Sequence, residues 1–272
     1  MGALLSRWQT LIISELDGDL DLVGELRLSS KFEGKMRQQI VDCCRWMSLQ
    51  GLVAGTSGNV SVRLNRSAAA DSSLAGTPVP ANSEDLQSEL AILISPSGVP
   101  YDSMKPDMIA RLDGEGVWQG SHLPSSEWRI HVDILKACRE VHAVVHTHSD
   151  FATTLSIGRE EIPACHYLIV QFGGHNIRCA PYARFGTQEL SDYAVTALEG
   201  RWACLLSNHG AIALGRTLQH AVNNAMQLEA LAKHYYFARL LGSLTLLSES
   251  QIEETRQGIE ELNHQLNSRH EG

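Results

Sequence analysis

Apolar and polar positions recur along this chain at two periods, and the switches between them mark out its elements. From Phe32 to Leu52 the residues Met36, Ile40, Cys43, Cys44 and Met47 return at helical spacing, which predicts a helix with one buried face. Gly51 and Gly55 end that pattern. Asn59 to Leu64 then alternates like a strand, with Val60, Val62 and Leu64 on one side, and Leu90 to Ile94 predicts its hairpin partner. Between them, residues 65–89 are rich in Ser, Ala, Pro, Asp and Asn without periodicity, and read as a flexible surface insertion.

Farther on, Ser126 to Cys138 predicts a helix whose apolar side carries Trp128, Ile130, Ile134 and Leu135. Pro124 precedes it, and Ser125 or Ser126 suits the cap. Val141 to His146 reads as a strand and Phe151 to Ile157 as a short helix. Strands are predicted at Tyr167–Gln171 and Ile177–Ala180, and helices at Thr187–Leu198, Thr217–Leu241 and Ser248–Leu266. The class is α/β, with strands at the centre and helices around them. Residues 1–30 read as an N-terminal extension, an apolar Leu11-Ile12-Ile13 followed by Glu15, Asp17, Asp19 and Asp21, and 31–272 as one domain.

Composition narrows the function. At 272 residues, with 43% hydrophobic and 19% charged, the chain can bury a large core without disulfide support. A formal net charge of -9 argues against nucleic-acid or anionic-membrane binding and leaves room for a local anion pocket. No apolar run reaches the roughly 18 residues of a membrane span. The N-terminus lacks the pattern of a secretory signal. Six cysteines without a CxxC pair read as buried free thiols, and the expected location is cytoplasmic.

The chemistry concentrates at His146-Thr147-His148. On a strand, residues i and i+2 share a face, so both rings can meet one metal ion. His209 ends another apolar run, Ala203 to Gly210, and supplies a third imidazole. Three His ligands with a vacant fourth position describe a catalytic zinc site and not a closed structural one. Glu127, nineteen positions before His146, is a carboxylate in a suitable place. Of the other histidines, His131 and His142 read as packing or surface residues, and His166 and His175 as edges of a pocket. No GxGxxG or GxxxxGK[ST] phosphate loop is present.

Seven blocks now fall into a recognisable order: Gly55-Thr-Ser-Gly-Asn-Val-Ser61, Ile94-Ser-Pro-Ser-Gly98, Pro124-Ser-Ser-Glu-Trp-Arg129, Val144-Val-His-Thr-His148, Ile162-Pro-Ala-Cys-His-Tyr167, Cys179-Ala-Pro-Tyr-Ala-Arg-Phe-Gly-Thr187 and Asn208-His-Gly-Ala211. From about Lys31 to Gly242 the chain resembles the class II aldolase/epimerase family, in particular its L-fuculose-1-phosphate aldolase branch. The resemblance implies a three-layer α/β/α fold, its central sheet mostly antiparallel, and a homotetramer with active sites between subunits. It implies a Zn2+ site, open to other divalent ions, formed by His146, His148 and His209, with Glu127 as fourth ligand or acid/base. Tyr167 of an adjacent subunit would exchange a proton with the aldehyde oxygen, and Phe185 would wall the aldehyde pocket. Thr56, Ser57, Gly58, Asn59, Ser97, Gly98, Ser125 and Ser126 would hold the phosphate, the last two near a helix N-terminus.

The expected reaction is reversible cleavage of L-fuculose 1-phosphate, or a deoxypentulose or methylthio-pentulose relative, to dihydroxyacetone phosphate and an aldehyde. Sugar-phosphate 4-epimerisation, decarboxylation of a 3-keto sugar-acid phosphate and dehydration of methylthioribulose 1-phosphate use a similar site and stay open. An adducin-like scaffold would have lost the histidines that this chain keeps. Relatives commonly place a tyrosine in the C-terminal tail, whereas no tyrosine follows Tyr236 here and the matching stretch is Glu261-Leu-Asn-His-Gln265.

Overall fold

The computed structural model describes residues 22–64 and 90–268. The expectations for residues 1–21 of the extension and for the 65–89 insertion lie outside the described residues. The chain divides between Lys35 and Met36 into two units. Of the first, the described part is helical backbone, the start of α1 (Leu22–Leu49). That helix begins well before the expected Phe32. Its first turns, Leu-Val-Gly-Glu-Leu-Arg-Leu, are built largely of good helix formers, but the polar run Ser29-Ser30-Lys31 separates them from the apolar stripe used to recognise the rest.

The second unit is built on one sheet. Its strands are β1 (Asn59–Arg63), β2 (Ala91–Ile94), β3 (Ala110–Asp113), β4 (Trp118–Gln119), β5 (Ala143–Thr147), β6 (Cys179–Ala180), β7 (Ala203–Leu206) and β8 (Gly210–Gly215). They lie in the order β4-β3-β2-β1-β5-β8-β7-β6, and every pairing is antiparallel except β6 with β7. Helices α2 (Trp128–Ala137), α3 (Asp150–Ile157), α4 (Gln188–Ala197), α5 (Leu218–Leu240) and α6 (Glu249–Ser268) complete it. The α/β class with a mostly antiparallel sheet is as expected.

Alternation along each strand feeds two cores. Val60, Val62, Leu93, Ala143, Val145 and Ala213 pack with Ile40, Cys44 and Met47 of α1 and Ala221, Val222 and Ala225 of α5. Their strand neighbours Ile92, Ile94, Val144, Ile212 and Leu214 face the other way, against Ile130, Ile134 and Leu135 of α2 and Leu190 and Ala194 of α4. Three layers result, and because successive side chains point to opposite faces, Asn59, Ser61 and His146 all stand on the α2 side. The sheet's middle strands β5 and β8 are buried at every residue.

Several boundaries follow from caps. Thr187 accepts a hydrogen bond from the Leu190 amide and Thr217 from the His220 amide, so each opens the helix expected to start there. The expected strand Tyr167–Gln171 is instead a 3₁₀ helix, Tyr167–Phe172. Its buried residues Ile169 and Phe172 are three apart, the 3₁₀ repeat, and Gly173 ends it at φ 87°. The strand expected at Ile177–Ala180 shrinks to Cys179–Ala180, with Ile177 making an isolated bridge to Ile162. The edge strand β4 and its neighbour β3, both short and half polar, went unread, as did β8, while β7 was read only as an apolar run. All six cysteines are free, and Cys43, Cys44, Cys138 and Cys204 are buried.

Candidate metal centre

The site forms where β5 runs between β1 and β8. His146 stands opposite Asn59 on one side and Ile212 on the other. Its Nδ1–H donates to the Ala211 carbonyl at 2.9 Å, which turns Nε2 toward His148 and Glu127. His148 lies just past the strand end, where its amide donates to the Leu52 carbonyl at 3.1 Å. His209 sits in the turn joining β7 to β8. Asn208 there has the left-handed φ of 54°, and the amides of Asn208 and His209 donate to Ser156 and Leu206 carbonyls.

One glycine allows this convergence. A Cβ on Gly210 would lie 2.3 Å from the Thr147 carbonyl oxygen and 3.2 Å from the His148 ring. Gly58 does the same on the other side, where a Cβ would meet Val53 at 2.2 Å and the His146 carbonyl at 2.9 Å.

The three imidazoles approach as three near-equivalent edges. Their ring centroids are 4.7, 4.9 and 4.9 Å apart, at interplanar angles of 74°, 75° and 77°. His146 Nε2 and His148 Nε2 are 2.8 Å apart. Glu127, the residue before α2, brings Oε2 to 3.2 Å from His146 Nε2 and Oε1 to 3.2 Å from His209 Nε2. One ligand atom from each of the four residues lies within 4.8 Å of the others. Tetrahedral bonds of about 2.0–2.1 Å put ligand atoms roughly 3.4 Å apart, close to these separations.

Electrostatics point the same way. Glu127 Oε1 is buried with no partner in hydrogen-bond geometry, an expensive state for an ionised oxygen. Burial alone would raise the Glu127 carboxyl, but His146 and His209 outweigh it and hold the group well below the usual carboxylate range. Burial, and then the neighbouring His146 and His209 rings, push His148 down to about 3. A neutral His148 offers its lone pair to a cation. Three converging imidazole nitrogens and one carboxylate oxygen without a hydrogen-bond partner fit a divalent metal.

Beside the cluster opens a cavity of about 440 Å³. Every expected substrate residue lines it: Thr56, Ser57, Gly58 and Asn59 from the loop into β1, Ser97 and Gly98 after β2, Ser125 and Ser126 before α2, and Phe185. Tyr182, Ala183 and Asn208 also line it; they lie in the blocks that carry the resemblance but were not singled out as site residues. Tyr167 is not among the lining residues and is 52% exposed.

Some roles are revised. Ser125 or Ser126 was expected to cap α2; the cap position is Glu127, whose amide donates to Ser125 Oγ at 3.2 Å while the Trp128 amide donates to the Ser125 carbonyl. Asn59, expected among the phosphate donors, directs its carboxamide to Glu127 and His131. His166 stacks with Tyr167 and His234, His175 is exposed, and neither lines the cavity.

With fold and site in hand, the chain belongs to the Class II Aldolase and Adducin N-terminal domain family, whose profile matches residues 38–236. It is 40% identical over 218 residues to the 5-methylthioribulose-1-phosphate/5-deoxyribulose-1-phosphate aldolase of Rhodospirillum rubrum, covering 80% of this chain and 88% of that one. It is 39% identical over 201 residues to the L-fuculose phosphate aldolase of Escherichia coli K12, covering 74% of this chain and 82% of the other. Among solved structures it superposes on an L-fuculose 1-phosphate aldolase with a TM-score of 0.70 at 31% identity, covering 82% of this chain and 95% of that one.

Proposed function

We infer that the protein is a metal-dependent aldolase that reversibly cleaves a ketose 1-phosphate to dihydroxyacetone phosphate and an aldehyde ending in a methyl or methylthio group. The observation that carries this is the juxtaposition of the four-residue cluster with a cavity lined by hydroxyls and glycines and also by Tyr182, Ala183 and Phe185. L-fuculose 1-phosphate and the 5-deoxy- and 5-methylthio-pentulose 1-phosphates all end in such a group. The apolar wall supports that shared feature.

His146, His148, His209 and Glu127 would hold the ion, with zinc the metal best suited to this donor set. A bound divalent ion supplies charge to offset the negative charge that develops on the substrate's ketone-side oxygens. Thr56, Ser57, Ser97, Ser125 and Ser126 hold the phosphate through hydroxyls, and Gly58 and Gly98 let it approach the backbone. Glu127 moves the proton at the carbon of the three-carbon fragment, since among the described residues that carboxylate alone faces both the cluster and the cavity. Tyr167, exposed on its own chain, exchanges a proton with the aldehyde oxygen in the site of a neighbouring copy within a homotetramer. Among the described residues no helix is long and apolar enough to cross a membrane.

The test is a panel of ketose 1-phosphates assayed for dihydroxyacetone phosphate release. Preference for methyl- or methylthio-ended sugars supports the reading. Release from none of them, in protein that holds stoichiometric metal, overturns it.

A further inference from the structure

His131 read from the sequence as a packing or surface residue, yet it is buried and both its ring nitrogens are committed. It lies on α2, 1% exposed, with Nδ1 2.7 Å from Ser61 Oγ and Nε2 2.5 Å from Asn59 Oδ1. Asn59 Nδ2 in turn donates to Glu127 Oε2 at 2.9 Å. Chemistry fixes the direction of the whole chain. An ionised carboxylate only accepts, so the NH₂ end of Asn59 must face Glu127 and its carbonyl oxygen must face His131. That oxygen also only accepts, so His131 carries its proton on Nε2. The neutral ring then leaves Nδ1 bare, and it accepts from the Ser61 hydroxyl.

The register of the sheet makes this possible. Asn59 and Ser61 are two apart on β1, on the face toward α2, and Glu127 and His131 are four apart at the start of that helix. Two short-range repeats of different elements thus meet in one ladder of side chains. The ladder takes up Glu127 Oε2 and leaves Oε1 facing His209, without a hydrogen-bond partner of its own.

We propose that Ser61 and His131 are positioning residues that act through Asn59 to hold Glu127 with Oε1 turned to His209 and Oε2 to His146. This rests on the metal-dependent reading above, but its test does not need a substrate. Zinc dissociation constants, measured by competition with a chromophoric chelator on the full chain, are compared in a double-mutant cycle of His131→Phe and Glu127→Ala. Substitution of a residue that orients a ligand weakens metal binding by about tenfold or more, so His131→Phe is expected to do so in the otherwise natural chain. In the Glu127→Ala background the same substitution is expected to change affinity less than about twofold, because its target is gone.

Equal effects in both backgrounds, or no effect in the natural one, would overturn the proposal. If His131→Phe does not fold, Ser61→Ala removes only the outer hydroxyl and must show the same pattern at smaller size. Where a cleaved substrate is known, the variants should lower kcat with KM changed little, whereas a merely structural role would lower thermal stability and leave kcat per metal-loaded chain unchanged. Failure of the aldolase reading would show separately, as wild-type protein that binds zinc and cleaves nothing.

Discussion

Glu229, on α5, accepts the hydroxyl of Ser149 at 2.7 Å, although the two are eighty residues apart. The same carboxylate takes the Phe151 and Ala152 amides, both at 2.9 Å, and so caps α3 in place of the Ser149 side chain, which makes no cap bond. Ser149 directly follows His148. A charge on a distant helix therefore anchors the chain just beyond one of the ligands.

Glu229→Ala should remove three charge-assisted bonds at once and cost about 2–4 kcal/mol. Thermal denaturation in chelator should show a midpoint lower by roughly 5–12 °C. Zinc affinity should fall as well, since His148 loses its anchor. An unchanged midpoint would mean that the cap is replaced by solvent.

Gly210 gives a sharper case. A methyl at this position would lie 2.3 Å from the Thr147 carbonyl and press on the His148 ring, so β5 and β8 must separate. Gly210→Ala is expected to cost about 1–3 kcal/mol and to reduce bound metal well below one ion per chain. Elemental analysis of the purified variant checks this. Full metal loading would show that the strands tolerate the shift.

Much of this site was legible in the sequence, because the signals were local. The spacing of His146 and His148 on a run of apolar residues placed both rings on one face, and the Thr187 and Thr217 caps marked two helices. What was not legible was long-range. Glu229 and His131 each lie on an unremarkable helix, and only the folded chain brings them to Ser149 and Asn59. Tyr167-Leu-Ile-Val-Gln171 misled for the opposite reason. Its β-branched run fits a strand, and tertiary packing of Ile169 and Phe172 turned it into a 3₁₀ helix.

Stability should also depend on pH through His220, on α5. Burial, and then the charge of Arg216, lowers its imidazole to about 4. Its folded value lies below the unfolded one of about 6.5, so the unfolded chain binds the proton more readily. The contribution is full above about pH 6.5 and is lost as pH falls toward 4. Between pH 7 and 5 the metal-free wild type should lose about 1–2 kcal/mol more than His220→Gln. Equal losses in urea denaturation would place the proton uptake elsewhere.

Glu127→Gln separates chemistry from assembly. The variant keeps the shape of the side chain and should still fold and bind metal through the three histidines. Turnover should drop by about a hundredfold or more, the usual size of a lost acid/base group. A rate near wild type would assign the proton transfer to another residue.

The central claim is that His146, His148, His209 and Glu127 together hold one catalytically required divalent ion. The most direct measurement is metal content per chain alongside dihydroxyacetone phosphate release, before chelation, after it, and after zinc is restored, in wild type and His148→Ala. The account predicts one ion per wild-type chain, activity lost and regained with it, and neither metal nor turnover in the variant. Full turnover in metal-free protein, or in His148→Ala, would contradict it.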